Sequence, residues 1–342
     1  MSDQKESEDV SVPVPSQDPE KKEEAKEAVI PNGIKADKDS DKKKEEELSE
    51  QDAQLKAELE MLVERLKVTL QIRFLAYEKP EKVMFQEEDT ELYRPALESL
   101  RALIRTSTSS MTSVPKPLKF LRPHYAELQK IYDQFPTKSQ DAATQNLFAD
   151  ILSVLAMTYS DTGKRDTLHY RLRTAGKRDD EDPGSWGHEY VRHLAAELGE
   201  EFNARQDAYI ADSDIADSFQ LPKELLDLAL KLVPFFLSHN AEPDAVDLLL
   251  ELESIESIIP FVDENTYGRV CSYMVACVDL LVPPDDRRFL QAARTIYRKQ
   301  DRLTESITLA MRIGDMDAIV EDFQTPTNML VSFFNTFHQY HF

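Results

Sequence analysis

Two histidines flanking a glutamate are the first residues in this sequence that could do chemistry. His188-Glu189-Tyr190-Val191-Arg192-His193 comes close to the helix of zinc proteases, where two His at i and i+4 share one face and hold the metal. Here the spacing is i and i+5, which sets the imidazoles about 140° apart on a helix of 3.6 residues per turn. A single ion cannot reach both. The segment reads instead as the start of a helix, with Ser185 as its cap and Trp186 as a packing anchor. Thr162-Gly163-Lys164-Arg165 is an equally poor phosphate loop, because it lacks the earlier Gly and carries Arg165 where Ser or Thr would hold magnesium. Cys271 and Cys277 have no second Cys pair to complete a zinc site, and read as small buried apolar residues. No Gly-x-Ser-x-Gly elbow occurs. These residues point to no catalytic group, no metal and no cofactor. What remains is a basic cluster, Lys116, Lys119 and Arg122, alternating with Leu118, Phe120 and Leu121. It is either a packed segment whose charges face water, or a docking edge for an acidic partner helix.

That cluster stands out because the rest of the chain is acidic. The 342 residues carry 41 Lys+Arg against 64 Asp+Glu, a formal net charge of −23. Such a chain repels phosphate backbones, so nucleic acid is not an expected direct partner. No apolar run approaches the roughly 18 residues that a membrane helix needs, and no secretory signal is visible at the start. Two Cys fit a reducing compartment and exclude a disulfide framework. Only 8 Gly occur, too few for the turns and phosphate loops of nucleotide-binding α/β folds or β-sandwiches. The expectation is an all-α protein.

The elements bear this out along the chain. Residues 1–50 hold 9 Lys and 16 Asp+Glu and no aromatic residue. Such a segment buries too little apolar surface to offset its ordering entropy, so 1–48 reads as a disordered, acidic, solvated tail, or else as a binding arm. Ser49, with Asp52 three residues on, opens a helix whose stripe is Leu55, Leu59, Leu62, Val63 and Leu66. A second helix spans about 91–104, so that 49–105 forms an N-terminal helical unit. Residues 106–124 read as a Ser/Thr/Pro-rich linker, extended where Pro115, Pro117 and Pro123 fall. From Tyr125 to about 330 the 3.6 period dominates. Its stripes are Leu147–Ala156, Trp186–Leu198 and Leu225–Phe236, the last with Pro234 as a kink, and 176–184 is an exposed loop between them. No strand alternation is found. Apolar residues from Ala245 to Ile259 match those from Ser306 to Val320 at a constant offset of 61, each copy reading as helix, turn, helix. Such hairpins stack because each alone leaves an apolar face bare, and the fold expected is an α-solenoid-like array of stacked helical hairpins.

Four segments resemble one family. They are Ser107–Tyr125 (STSSMTSVPKPLKFLRPHY), Asp150–Leu155 (DILSVL), Gly184–Ala195 (GSWGHEYVRHLA) and His239–Leu249 (HNAEPDAVDLL). Together they look like the N-terminal part of the scaffold subunit of the 26S proteasome base, the non-ATPase regulatory subunit 2 family. The resemblance runs from about Ser49 to Val320. It implies a helical array without catalytic activity, placed in cytoplasm and nucleus. It also implies contact with the proteasome ring ATPases and other regulatory-particle subunits. Ubiquitin chains, shuttle proteins and a deubiquitinase are received in that family largely on a following ring of repeats, before which this chain is expected to stop. The alternative is a generic helical-repeat adaptor of another complex.

Two stretches depart from the family pattern. Residues 68–86 carry net charge +1 and three aromatics, and without them Lys67 would run straight into Glu87. Residues 331–342 contain four Phe and no Asp, Glu, Lys or Arg. Each begins with Val, whose codons open with GT, and the first ends with Gln86, a possible CAG; both fit translated introns. The other reading is a genuine isoform with an extra helix and a short tail. If the chain stops as written, its last helices lack a stacking partner, and aggregation or poor stability is expected. Transcript reads joining Lys67 directly to Glu87 are expected from the intron reading, and reads running through 68–86 sink it.

Overall fold

The computed structural model describes residues 49–78, 93–107, 115–134, 142–159, 163–176, 181–213 and 220–324, with side chains of the first helix described to Val68. The expected tail 1–48, the Ser/Thr residues 108–114 and the atypical segment 331–342 lie outside the described residues, as does 79–86 of the suspected insert. Among the described residues all regular structure is helical: α1 (Glu50–Glu78), α2 (Tyr93–Ser107), α3 (Lys116–Leu121), α4 (Tyr125–Asp133), α5 (Ala142–Tyr159), α6 (Asp166–Thr174), α7 (His188–Ser213), α8 (Lys223–Ser238), α9 (Glu242–Glu251), α10 (Tyr267–Cys277), α11 (Asp285–Lys299), α12 (Leu303–Ile313) and α13 (Met316–Gln324). None of them is long and apolar enough to cross a membrane. Consecutive helices pack as hairpins, α1 on α2, α5 on α6, α8 on α9, α11 on α12. One apolar core runs through the stack from Leu59 to Ile313.

The sequence stripes are the buried stripes. Leu59, Leu62, Val63 and Leu66 are buried on α1, with Leu55 packed at their edge. Ser49 does cap α1, its Oγ accepting the Asp52 N–H at 3.3 Å. The helix then continues unbroken past Val68 to Glu78, so the first part of the suspected insert is helical. Leu225, Leu232, Val233 and Phe236 are buried on α8, and Pro234 sits within that helix on its exposed side.

Three expectations are corrected. Residues 116–124, read as extended linker, are helical: α3 and a 3₁₀ turn at Arg122–His124. Each proline falls at the cap or in the first turn of its helix. There its missing N–H has no partner to lose and its fixed φ is already helical. Thr106 and Ser107 also belong to a helix, donating their hydroxyls to the Leu103 carbonyl at the end of α2. The loop 176–184 is not all exposed. Glu181 accepts from Arg101 and Arg105 of α2, both at 2.5 Å, while Pro183 and Trp186 are buried. Ser185 is not the cap of α7. It lies inside a 3₁₀ turn, Pro183–Trp186, which Asp182 caps by accepting the Gly184 N–H at 3.0 Å.

The repeat at offset 61 is deeper than its apolar residues. Helix α8 ends with Asn240 at φ 56°, and α11 ends, 61 residues on, with Asp301 at φ 55°. Likewise α9 ends with Glu253 at φ 51° and α12 with Gly314 at φ 78°. The closing bonds match too: Ala241 N–H to Phe236 O with Arg302 N–H to Tyr297 O, and Ser254 N–H to Leu249 O with Asp315 N–H to Ala310 O. These are left-handed helix ends that satisfy the last carbonyls. Three of the four are made by Asn, Asp or Glu rather than glycine, which is how a long helical stack manages on so little of it. The copies differ at one point: after α9 comes only a 3₁₀ turn, Ile255–Ile258, where after α12 comes α13.

The short helix α6 is positioned by buried polar groups. Arg171 and Asp150 are both fully buried and pair at 2.8 Å, and Thr174 donates to the same Asp150 oxygen at 2.9 Å. Burial pushes the Asp150 carboxyl above its ordinary value, while Arg171 and Thr174 pull it back. Ser153 of α5 donates to the Thr167 carbonyl at 2.7 Å and shares a 2.8 Å hydrogen bond with Tyr190 of α7. The first turn of α6 has no cap of its own. Glu197 of α7 supplies one, accepting the Leu168 N–H at 2.8 Å. Removing one side of a buried ion pair leaves an uncompensated charge. Arg171→Met is therefore expected to cost about 3–5 kcal/mol, and Arg171→Met with Asp150→Leu to recover much of that loss. Urea unfolding midpoints of the two variants check this.

Candidate docking groove

Helix α3 carries the basic cluster singled out in the sequence. Its apolar residues Leu118 and Leu121 are buried, so its lysines must face outward. They do not act together. The Lys116 ammonium lies 2.8 Å from both carboxylate oxygens of Asp52 and ties α3 to the first turn of α1. That bond holds the Asp52 carboxyl below its ordinary value. Lys119 and Arg122 instead lie on the rim of an open groove of about 1000 Å³ bounded by α3, α7 and α9. Trp186 and Tyr190 form part of its lining.

The opposite wall is acidic. Asp244, Asp247 and Glu251 project from α9 at i, i+3 and i+7, one stripe of a helix. Asp244 is partly neutralised by Arg192 of α7 at 3.1 Å, and Asp247 accepts the Tyr273 hydroxyl at 2.8 Å. Glu251 reaches over Gly199 of α7, where an added Cβ would come within 1.9 Å of its carboxylate oxygen. Glycine leaves room for the end of this side chain. Burial, then the like charges of Asp247 and Glu200, raise the Glu251 carboxyl above its ordinary value. The groove thus has a cationic edge on α3 and an anionic edge on α9. The basic side was visible as a cluster in the sequence. The acidic side was missed, although the i, i+3, i+7 spacing of its three residues was there to be seen.

The two histidines face separate partners. His188 packs its ring against Phe235 and His239, with centroids 5.8 and 6.2 Å away. His193 Nε2 lies 2.9 Å from Glu197 Oε1. Among the described residues no group of three or more His, Cys, Asp or Glu is arranged to hold a metal ion. Arg165, the odd residue of the poor phosphate loop, closes the chain into α6 at φ 51° and donates to Glu201 at 2.6 Å. Cys271 is buried and its thiol is pushed up to about 12 by that burial, while Cys277 is only half-buried.

Stacked helical hairpins with an open groove of opposed charges define an all-α helical-array protein. The RPN1 N-terminal domain family matches residues 82–336, and the chain belongs to that family. The match begins inside the 68–86 segment and extends past Val331. The chain is 49% identical over 266 residues to the 26S proteasome regulatory subunit rpn-1 of Neurospora crassa, covering 78% of this chain and 25% of that protein. It is 48% identical to the 26S proteasome regulatory subunit RPN1 of Candida glabrata, over 72% of this chain and 25% of that one. With the 26S proteasome non-ATPase regulatory subunit 2 of Dictyostelium discoideum it shares 43% identity, over 71% and 25%. The chain therefore spans about a quarter of the length of the relatives it matches.

Asp247→Asn removes one like charge beside Glu251. A carboxyl with a raised folded-state value loses stability for the fold as pH rises through it. The Glu251 carboxyl in Asp247→Asn is therefore expected to titrate lower, and that loss of stability to shrink. A carboxyl-carbon NMR titration of both proteins checks the direction.

Proposed function

We propose that this chain is a non-catalytic scaffold segment of the 26S proteasome regulatory-particle base, supporting ATP-dependent degradation of ubiquitinated proteins in cytoplasm and nucleus. The family match over residues 82–336 carries this reading, because the relatives it joins are named as proteasome regulatory subunits. The partners proposed are the ring ATPases and neighbouring regulatory-particle subunits. Receipt of ubiquitin chains, shuttle proteins and a deubiquitinase is assigned to the remaining length of the longer relatives.

The groove supports a docking edge within that role. Lys119 and Arg122 suit the acidic face of a partner helix, and the α9 stripe suits its basic face. Lys116 is left out of this edge, since it does not line the groove. Co-purification with a pair of neighbouring ring ATPases tests the proposal. The chain is expected to retain the pair, and Lys119→Glu with Arg122→Glu to weaken retention about tenfold or more. Failure of the unaltered chain to bind defeats the scaffold reading. Binding that ignores the charge reversal places the docking edge elsewhere.

A further inference from the structure

A second pocket, of about 350 Å³, opens between α2 and α5, and among the described residues it shares none of its lining with the groove. Each helix gives it one stripe at i, i+4 and i+7: Arg94, Glu98 and Arg101 from α2, and Ala143, Leu147 and Asp150 from α5. Glu181 adds to the rim. Asp150 is 1% exposed, yet only half of its carboxylate is used. Arg171 and Thr174 both donate to Oδ1, while Oδ2 is buried with no hydrogen-bond partner. A buried acceptor left in that state is costly and calls for a donor. Since Oδ1 is held by α6, Oδ2 is the oxygen left for the pocket.

Charge decides which donor fits. Each carboxylate of the pocket already meets a guanidinium: Glu98 takes Arg94 at 2.9 Å, Glu181 takes Arg101 at 2.5 Å, and Asp150 takes Arg171 at 2.8 Å. An ammonium would arrive among these guanidiniums with no carboxylate left to match it. A carboxylate would bring one acceptor against another at Asp150. A primary carboxamide has neither fault. Its NH₂ group donates to Oδ2, and its carbonyl accepts from the guanidinium N–H groups along α2. Ala143 and Leu147 offer an apolar wall to a short methylene stem. The volume is far more than the roughly 30 Å³ of a single water, so the pocket has room for such a group.

We propose that this pocket binds a primary carboxamide on a short apolar stem, the chemistry of a glutamine side chain, with its NH₂ group on Asp150 Oδ2. The site is independent of the scaffold role proposed above. Saturation-transfer NMR of the full chain with butyramide, butyrate and butylammonium compares three head groups on one stem. Butyramide is expected to bind about tenfold tighter than either ion, because a hydrogen bond to a charged group is worth at least that factor. Ala143→Leu fills the pocket wall without touching the buried ion pair, and is expected to abolish the preference. The head-group series is read on the unaltered chain, so it decides whether or not that variant folds. N-acetylglutamine methylamide set against free glutamine then identifies the source: the tighter binder of the two marks either a partner's side chain or a free small molecule. Binding of neither overturns the proposal. So does butyramide that fails to saturate, which leaves Oδ2 to water alone. Butyrate or butylammonium binding as tightly as butyramide overturns it too, as does a preference that survives Ala143→Leu.

Discussion

Arg171 and Asp150 bring opposite charges to a place with no exposed surface, and the helices around them are set so that those charges meet. Desolvating two ions costs several kcal/mol, and only close geometry with further hydrogen bonds recovers it. The Asp150 oxygen takes both Arg171 and Thr174, and Arg171 also reaches the Glu181 carbonyl. The pair therefore sets α6 against α5 and draws in the chain segment that leads to Trp186. A helix of nine residues is unstable alone. Here α5 holds it through Asp150 and Ser153, and α7 through Glu197. The same α7 forms one wall of the groove, so the geometry of the surface is inherited from a charge pair that never meets water.

Downstream the stack uses a different device. Helices α8, α9, α11 and α12 are each followed by a left-handed residue, and the N–H after it closes back on the helix. The C-terminal part is a repeated piece of backbone, two helices and their caps, copied at a fixed interval. Asp322 closes the second copy. It is fully buried at the end of α13, and takes Ser306 at 2.6 Å and Arg294 at 3.0 Å, so one carboxylate joins α11, α12 and α13.

Much of this was legible in the sequence, for a physical reason. Leu59 to Leu66, Trp186 to Leu198 and Leu225 to Phe236 obey the helical period because one side of each helix lies in the core, and burial leaves that imprint. What escaped were features decided by distant partners. Pro115, Pro117 and Pro123 look like breakers, and become helix starts because the first turn tolerates them. Arg171 and Asp150 look like surface charges in an acidic chain, and nothing local shows that they are inside. Of the basic cluster, sequence could show that three cations were close. It could not show that Asp52, over sixty residues away, would engage Lys116, or that Lys119 and Arg122 would line the groove. The α9 wall was missed because three acids on a helix are unremarkable until a second surface stands opposite them.

Glu197 turns its two oxygens in two directions, one to the Leu168 N–H in the first turn of α6 and one to His193 in the groove wall. In mechanical terms the groove is stiff on that side. A ligand pressing on His193 would pull, through one carboxylate, on the start of a core helix. The opposite wall is softer. Glu251 ends a flexible side chain over the bare backbone of Gly199 and can swing without disturbing a helix. The groove has one wall held through Glu197 and one free-ended carboxylate on the other, so adjustment to an occupant would fall to the Glu251 side chain rather than to a helix.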